Sequence, residues 1–382
     1  MKPSSRRTFL ATGLSLPAAG LAASRMPESS SLPLLEPAAA ALPYRTLGKT
    51  GLKVTPVAFG CMITSDPSVI ARALDMGINY FDTARVYQGG NNERMVGAAL
   101  KGSRDKVFIS TKTQARTGAQ ALTDLDTSLQ TLGTDHVDIL YMHGKGAPDQ
   151  ISDDLVTAFE SAKKLGKVRC LGVSTHDPIP IADRVIETGK LEVVLFTYNF
   201  TMGNTKDAAI EKLNKAGVGL VAMKVMAPAR PGGASNAQQM KNPAGPLAAL
   251  KWVVKNPAIS ATIPSMTDAD QLVMNFRAAT EKFSPEDEKV LARLNEEIRP
   301  LYCRMCFACR DQCPKGVPVA DTIRFLTYAD FYGQFALGRE HFLGLPEEVR
   351  KVRCGDCSGC AVQCPNGVRV VERLIRAQEI FA

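Results

Sequence analysis

The chain has 382 residues, of which 45% are hydrophobic and 22% are charged, and this balance excludes a wholly disordered protein. The formal net charge is +8, but the lysines and arginines are scattered apart from one N-terminal pair. No nucleic-acid-binding stripe is therefore expected. The length accommodates one barrel of about 250 residues together with smaller additional segments.

The N-terminal segment, residues 1–42, has the features of a targeting sequence followed by a linker. Arg6 and Arg7 directly precede a weakly apolar stretch at 9–23, which glycine and proline interrupt. The stretch is too short and broken for a membrane span of about 20 apolar residues, so no stable span is expected. A basic start followed by an apolar middle is typical of a secretory signal, and the arginine pair resembles a twin-arginine export signal. The sequence thus predicts a periplasmic or cell-envelope protein; the alternative is an ordinary N-terminal extension.

Residues 43–300 alternate short β-rich runs with amphipathic helical runs. Eight such alternations predict a parallel sheet closed into an α/β fold of the (β/α)8 TIM-barrel type. The alternative is an open doubly wound sheet, which would need a glycine-rich turn after the first strand, and the sequence F-G-C-M there does not provide one. The predicted strands are 54–59, 78–81, 107–110, 137–141, 168–173, 193–197, 219–223 and 259–263, and the clearest predicted helices are 151–165, 206–215 and 246–255.

Polar side chains follow the ends of three successive predicted strands. Asp82 ends the second strand and Tyr87 lies in the loop after it. Lys112 ends the third strand and His143 ends the fourth. Any one of them alone would be explained as a cap or a solvated side chain. Because active sites in such barrels lie at the carboxyl ends of the strands, all four together predict one catalytic cluster.

These motifs resemble the aldo/keto reductase family over about residues 43–298. The segments that carry the resemblance are D-T-A-R-V-Y at 82–87, Asn92-Glu93 with Gly97, G-K-V-R at 166–169 and G-V-S-T-H at 172–176. The resemblance implies that the catalytic tetrad is Tyr87, Asp82, Lys112 and His143. It also implies NAD(P)-dependent interconversion of a carbonyl and an alcohol.

The residue types suit that chemistry. A free tyrosine has a pKa of about 10 and is a poor acid unless it is tuned. The ammonium group of Lys112 is expected to lower the pKa of Tyr87, and Asp82 to keep Lys112 charged and in place. His143 is expected to orient the carbonyl oxygen and share the proton. A nicotinamide must supply the hydride, because none of these side chains can donate one.

The resemblance also predicts where the nicotinamide lies. The family places serine and asparagine after the fifth strand, glutamine on the sixth and an aromatic residue on the seventh. This chain has Ser174 and Thr175 at the first site but Leu195 and Met223 at the other two. Leu195 and Met223 are explained either by neutral change in packing or by a nicotinamide that is bound differently from that of the family. The neighbouring Lys224 is predicted to meet the cofactor's pyrophosphate.

After the eighth strand, the chain keeps the family's nucleotide-binding frame at Ser265, Gln271 and Asn275. It lacks the lysine and arginine that NADP-preferring members place around the 2′-phosphate, so NADP and NAD both remain open. The long Gly/Pro/Asn/Gln-rich loop 227–246 follows the seventh strand. It is interpreted either as a segment that closes over the cofactor or substrate or as a disordered insertion.

The last segment, residues 301–382, repeats the pattern CxxCxxCxxxCP. This is the bacterial ferredoxin run for [4Fe-4S] clusters, in which the fourth cysteine of each run binds the other cluster. A zinc site usually takes two CxxC pairs, so a third and a fourth cysteine at these spacings are not typical of zinc. Disulfides between cysteines of adjacent CxxC pairs would be strained. Helical patterning at 319–332 favours a mainly helical ferredoxin-like domain. The predicted cluster ligands are Cys303, Cys306, Cys309, Cys313, Cys354, Cys357, Cys360 and Cys364.

Three functions follow from these patterns. The first is an oxidoreductase that interconverts a carbonyl and an alcohol of a small molecule and holds two clusters for electron transfer or structure. If the clusters relay electrons, a redox partner protein is expected as well. The second is an electron-transfer module on a barrel scaffold. The third is a sugar-modifying enzyme that recycles a tightly held nucleotide. A tetrad able to reduce carbonyls separates the second from the others, and a net redox change in the product separates the first from the third.

Overall fold

Eight parallel strands form the centre of the protein, seen in a computed structural model that describes residues 42–229 and 244–382. The strands are hydrogen-bonded to one another in chain order. Parallel bridges from Val57 to Thr262 and from Gly60 to Ser265 join the first strand to the last. The strands are β3 (Phe59–Gly60), β4 (Tyr80–Asp82), β5 (Phe108–Thr113), β6 (Val137–Met142), β7 (Val168–Thr175), β8 (Val193–Thr197), β9 (Gly219–Met223) and β10 (Ala261–Thr262).

A helix follows every one of these strands, which confirms the predicted (β/α)8 barrel. The helices are α1 (Pro67–Asp75), α2 (Asn91–Ala99), α3 (Gly118–Leu132), α4 (Asp153–Lys164), α5 (Ala182–Thr188), α6 (Asp207–Lys215), α7 (Ala244–Val254) and α8 (Ala269–Thr280). Their inner faces and the outer faces of the strands share one large apolar core. This packing fixes the strand ends, where the polar side chains lie.

The predicted first strand, 54–59, is divided between two structures. Val54 belongs to a separate antiparallel hairpin, made of β1 (Arg45–Thr46) and β2 (Lys53–Val54). The hairpin carries Leu47 and Leu52 into the apolar interior of the barrel. Apolar residues that plug a barrel and apolar residues that form its strand give the same local pattern, so the sequence did not separate them.

The described part of the predicted loop 227–246 consists of its two ends, and residues 230–243 lie outside the described residues.

Close packing of α2 on α3 explains one glycine of the family motif. A Cβ atom added at Gly97 would lie 2.1 Å from the backbone oxygen of Leu132. We expect Gly97→Ala to lower the free energy of unfolding by about 1–3 kcal/mol, because the two helices must separate. Thermal unfolding with Gly146→Ala as the control checks this, since a Cβ at Gly146 meets nothing within 4 Å. Equal unfolding temperatures for the two variants would contradict the packing argument.

Five helices follow the barrel. The first begins with a capping box, in which Ser284 and Asp287 bond each other's backbone N–H groups. The predicted helix at 319–332 is present with the same bounds. None of the helices in the described residues is long and apolar enough to cross a membrane. The five are α9 (Pro285–Ile298), α10 (Val319–Tyr332), α11 (Phe335–Leu343), α12 (Glu347–Lys351) and α13 (Val370–Phe381).

The C-terminal helices pack against the carboxyl face of the barrel. Tyr302 and Phe331 share an apolar cluster with Phe200, which follows β8, and with Ala248 and Ala249 of α7. The rings of Tyr302 and Phe331 meet edge to face with centroids 5.4 Å apart. Residues after 300 therefore contact the end of the barrel at which its active site is expected. A domain boundary at residue 300 stays a prediction.

Candidate active site

The ends of β4, β5 and β6 bring three members of the predicted tetrad together. Lys112 Nζ donates hydrogen bonds to Asp82 Oδ2 at 2.6 Å and to the backbone oxygen of Thr83 at 2.7 Å. It also reaches the Tyr87 hydroxyl at 3.3 Å. The Tyr87 and His143 rings stand edge to face, with centroids 6.0 Å apart. The four residues thus occupy one place on the carboxyl face.

The loop that presents Tyr87 is held by other residues of the same motif. Arg85 pairs with the fully buried carboxylate of Glu93 on α2. The Thr83 hydroxyl donates to Asn92 Oδ1 at 2.6 Å. These contacts tie the loop to the start of α2. The motif residues around Tyr87 therefore fix its position instead of contacting the reacting atoms.

Lys112 and Asp82 form a buried ion pair, with side chains 0% and 2% exposed. Burial lowers the pKa of Lys112, but the charges of Asp82 and Tyr87 outweigh it and leave the pKa raised. Lys112 therefore stays charged at neutral pH, as the sequence predicts. A lone buried ammonium would instead lose its proton readily.

For Tyr87, the outcome differs from the expected lowering. Burial raises the pKa of the Tyr87 phenol more than the Lys112 charge lowers it. The sequence-based expectation counted the neighbouring cation but had no measure of desolvation. The phenol therefore remains protonated over the neutral range, in the form that donates a proton.

His143 is neutral in this environment. Burial, followed by the positive charges of Lys112 and others nearby, lowers the pKa of His143 to about 3. Its Nδ1 atom is buried, and no hydrogen-bond partner for it is found among the described residues. His143 is therefore able to hydrogen-bond a ligand, but it does not carry a proton as imidazolium.

Sequence reasoning missed a chain of polar side chains inside the barrel. Ser110 donates to Asp82 Oδ1 at 2.6 Å, and it accepts a hydrogen bond from the Tyr80 hydroxyl at 3.1 Å. The Tyr80 and Tyr141 hydroxyls lie 3.0 Å apart. Ser110 and Lys112 are two residues apart on β5 and so point the same way. That spacing was a signal that Ser110 supports Asp82.

A cavity opens at the carboxyl ends of the strands beside Tyr87. Three of the predicted cofactor residues line it, namely Met223, Lys224 and Ser265. Ser174 does not line the cavity. Its hydroxyl accepts a hydrogen bond from the Gly144 backbone N–H at 2.9 Å. The other lining residues are Gly60, Met62, Ile63, Asp82, Tyr87, Val225, Met226, Ile263, Pro264 and Tyr332.

Thr175 and Lys224 both have hydrogen-bond partners within the protein. The Thr175 hydroxyl is engaged in a local turn with the backbone of Asp177, at 2.8 and 3.1 Å. Lys224 Nζ donates to the Tyr328 hydroxyl at 3.1 Å. The predicted contact of Lys224 with a pyrophosphate took no account of Tyr328, which lies 104 residues further along the chain.

The last two predicted cofactor residues lie on α8 and keep buried polar atoms without partners. Asn275 is 0% exposed, and neither its Oδ1 nor its Nδ2 has a hydrogen-bond partner among the described residues. Gln271 Nε2 is likewise buried and unpaired. Unpaired buried amides are costly, at about 1–3 kcal/mol each. These atoms therefore fit a ligand with polar edges.

The eight C-terminal cysteines form two neighbouring groups. Burial, together with the nearby thiols of Cys309, Cys306 and Cys364, raises the pKa of Cys303 to about 12. Cys303, Cys306 and Cys309 belong to the first run, and Cys364 is the last cysteine of the second run. Cys364 of the second run is therefore close enough to Cys303 to influence its ionisation.

The second group mirrors the first. Burial raises the pKa of Cys354, and the thiols of Cys357, Cys313 and Cys360 add to this effect. Here Cys313 is the last cysteine of the first run. No disulfide joins any of these thiols.

The backbone around the cysteines is shaped to turn tightly. Met305 and Phe307, which flank Cys306, have φ angles of 53° and 54° in the left-handed region. Non-glycine residues reach that region only at a cost, and such strain collects at functional sites. Hydrogen bonds from Asn366 and Gln378 reach sulfur atoms at 3.2 and 3.5 Å. In the described part of the chain, no three His, Cys, Asp or Glu side chains converge closely enough to hold one metal ion.

Comparison with known proteins agrees with this site. Residues 65–246 match the model of the aldo/keto reductase family. L-galactose dehydrogenase from Arabidopsis thaliana is 28% identical over 302 residues, which cover 67% of this chain and 94% of that protein. The uncharacterized oxidoreductase YqkF from Bacillus subtilis is 30% identical over 168 residues, or 40% of this chain. The chain spans 55% of that relative's length.

Solved structures share the fold. An aldo-keto reductase from Bacillus halodurans in its holo form has a TM-score of 0.57 and 24% identity, covering 66% of this chain and 96% of that one. An aldo-keto reductase from Klebsiella pneumoniae in complex with NADPH has a TM-score of 0.56 and 23% identity, covering 67% and 95%. With the tetrad in place on this barrel, the chain is similar to the aldo/keto reductases both in its fold and in the sequence of residues 65–246.

Proposed function

We propose that this protein is an NAD(P)-dependent oxidoreductase that interconverts a carbonyl and an alcohol by hydride transfer. The observation that carries the proposal is the contact of Lys112 with both Asp82 and Tyr87, beside His143. A charged lysine, a protonated phenol and a neutral imidazole then lie together where Tyr87 and Asp82 line the cavity. This set provides one proton donor and two groups that polarise a carbonyl oxygen.

A bound nicotinamide would supply the hydride. Tyr87 donates its phenolic proton to the substrate oxygen. Lys112 stabilises the phenolate that remains, and Asp82 keeps Lys112 charged and fixed. His143, which is neutral, hydrogen-bonds the substrate oxygen and orients it. In alcohol oxidation the same residues act in reverse, and Tyr87 accepts the proton.

The nucleotide would lie between the cavity and α8. The unpaired amides of Asn275 and Gln271 support this, since asparagine and glutamine pair well with the edge of adenine. Met223 and Ser265 line the cavity where the nicotinamide would enter. The related protein from Klebsiella pneumoniae is complexed with NADPH. No lysine or arginine lies between Ser265 and Asn275, so we expect NAD to bind at least as well as NADP.

The cysteines fit two [4Fe-4S] clusters. Each predicted group contains four thiols, three from one run and one from the other. In a cubane cluster each thiolate binds a different iron, so its ligands lie farther apart than those of a single ion. The clusters would serve electron transfer or structure at the end of the barrel.

The experiment that tests the function begins with anaerobically purified, desalted protein. Its denatured supernatant is assayed for NAD and NADP, and the native protein is assayed for reduction of 4-nitrobenzaldehyde with each reduced nucleotide. We expect a nucleotide to copurify, because an exported enzyme has no free pool to draw on. An empty site together with no reduction by either nucleotide would contradict the proposal.

The proposed location is the periplasm or cell envelope, reached by the twin-arginine route. We expect replacement of Arg6 and Arg7 by lysine to leave the protein in the cytoplasm, because a receptor reads the pair as an address. Both positions lie outside the described residues. Cell fractionation measures the outcome, with Arg25→Lys as the control. Unchanged extracytoplasmic accumulation of the double variant would contradict this route.

A further inference from the structure

A second tyrosine approaches the active site from the C-terminal region. Tyr328 lies on α10 and is 5% exposed. Its hydroxyl accepts hydrogen bonds from Lys224 Nζ at 3.1 Å and from Arg324 Nη1 at 3.2 Å. Lys224 lines the same cavity as Tyr87. Tyr332 of the same helix also lines this cavity, so α10 covers one side of it, and Tyr328 lies one hydrogen bond away from Lys224.

The two hydrogen bonds leave the phenol in an unusual state. Both donors are cationic groups, and among the described residues no acceptor takes the hydrogen of the Tyr328 hydroxyl. Lys224 Nζ also lies 4.4 Å from the centre of the Tyr328 ring. An oxygen that accepts from two cations is best matched when it is negative. Arg324 is partly neutralised by Asp321 at 2.8 Å, but no carboxylate pairs with Lys224 in the described part of the chain.

The backbone holds Lys224 in this position at a cost. Its φ angle is 57°, in the left-handed region that residues other than glycine seldom adopt. Such a conformation costs on the order of 1–3 kcal/mol and persists where the surroundings enforce it. The strain lies directly after β9, where the chain leaves the barrel at its carboxyl face. Lys224 is thereby aimed at Tyr328.

The surroundings of Tyr328 stabilise its deprotonated form more than water does for a free phenol. Burial alone would raise the pKa of Tyr328, but Lys224 and Arg324 lower it to about 8. Tyr328 is also close enough to Tyr87 to influence its ionisation. The groups that face it are Lys224 after β9, Arg324 and Tyr332 on α10, His341 on α11, Tyr302 before the cysteine runs and Tyr87 after β4.

We propose that Tyr328 is a second proton-transfer residue of this active site, acting on the carbon next to the substrate's carbonyl. The proposal rests on the proposed function, because it uses the carbonyl group that the tetrad binds. It names the substrate class as α-hydroxy carbonyl compounds and the corresponding polyols, which include sugars. Such substrates present two adjacent oxygens, one for Tyr87 and one for Lys224, which lines the cavity and donates a hydrogen bond to Tyr328. The relative named L-galactose dehydrogenase acts, by its name, on a compound of this class.

The step is balanced without an oxidant or a nucleotide. The Tyr328 phenolate takes the proton from the α-carbon, so that a C–H bond breaks and an O–H bond forms. The electron pair becomes the C=C bond of an enediol, and the carbonyl oxygen takes the proton of Tyr87. The reverse step returns a proton to the carbon. In heavy water, the proton on Tyr328 exchanges with solvent, and deuterium enters the substrate.

The first test uses dihydroxyacetone in heavy water with the holoprotein and no added nucleotide. We expect proton NMR to show loss of the carbon-bound hydrogens above the rate without protein. Tyr328→Phe should slow this exchange at least about 100-fold, as expected for loss of a general base. Tyr44→Phe, at an exposed site, is the control. Reduction of dihydroxyacetone with NADPH or NADH is measured in parallel.

The two reactions separate the two proposals. Reduction without exchange overturns the role of Tyr328 and leaves the proposed function intact. Exchange without reduction contradicts the proposed function but supports Tyr328. An exchange rate in Tyr328→Phe equal to that of the unmodified protein overturns the role, provided that iron content and circular dichroism are unchanged.

The second test needs no substrate. With tyrosine labelled by carbon-13 at Cζ, the Tyr328 signal is assigned by its loss in Tyr328→Phe. We expect this signal to titrate near pH 8 and the exchange rate to rise with pH through the same midpoint, since the base is the phenolate. Lys224→Met removes a cation, so both midpoints should move to higher pH. A Tyr328 signal that titrates at or above the usual pKa of about 10 overturns the proposal.

Discussion

Tyr87→Phe is expected to lose carbonyl reduction by at least about 10³-fold in kcat, because the substrate oxygen then has no proton donor. The phenol is protonated across the neutral range, since burial keeps its pKa high. Phenylalanine retains the ring that meets His143 edge to face. The loss should therefore appear in kcat, while nucleotide binding, iron content and unfolding temperature stay the same. Steady-state kinetics with 4-nitrobenzaldehyde measure it.

Two further variants show that the effect belongs to the proton donor. Tyr44→Phe, which removes an exposed hydroxyl far from the cavity, should keep full activity. Lys112→Met should be damaged to a similar extent, because the Tyr87 phenolate loses its cation and the buried Asp82 loses its partner. This variant is also expected to be less stable, since a buried carboxylate is left unpaired. Normal turnover by Tyr87→Phe would show that another group donates the proton.

Features that follow from local sequence were predictable. Strand ends are set by short β-rich runs, and parallel strands in a barrel bring their carboxyl ends to one face. Asp82, Lys112 and His143 were therefore found from their positions in the chain alone. The two cysteine runs were also recognisable in the sequence, and their ligation of two clusters stays a prediction from the CxxCxxCxxxCP spacing. In each of these cases, the residues and their spacing determine the geometry.

Features that depend on distant packing were not predictable. The pKa of Tyr87 depends on how deeply the loop is buried, and the sequence shows only that Lys112 lies nearby. Lys224 was interpreted as a ligand for pyrophosphate, whereas its nearest polar partner is Tyr328 on α10. Helical periodicity predicted α10 with correct bounds. It did not predict that α10 packs at the carboxyl face of the barrel. A tyrosine in such a helix has no local feature that distinguishes a core residue from an active-site residue.

Serine substitutions at Cys313 and Cys364 are expected to have the other large effect, each removing one cluster and leaving the second. Each variant should contain about four irons instead of the eight expected from two cubes. Iron analysis of anaerobically purified protein measures this. Cys170→Ser is the control, because Cys170 is buried in the barrel and should leave all of the iron in place. A full complement of iron in either variant would contradict the assignment of these ligands.

Alkylation of the same variants distinguishes crossed from uncrossed ligation. If Cys364 completes the cluster of the first run, Cys364→Ser should release the thiols of Cys303, Cys306 and Cys309 to iodoacetamide. Mass spectrometry should then find Cys354 unmodified, because Cys313 still completes its cluster. In an uncrossed arrangement the pattern would reverse, and the thiols next to the mutated position in the chain would be alkylated. Because each crossed cluster ties both ends of the segment 303–364 together, losing either one should also loosen α10. We therefore expect both variants to weaken the hydrogen bond that Lys224 donates to Tyr328.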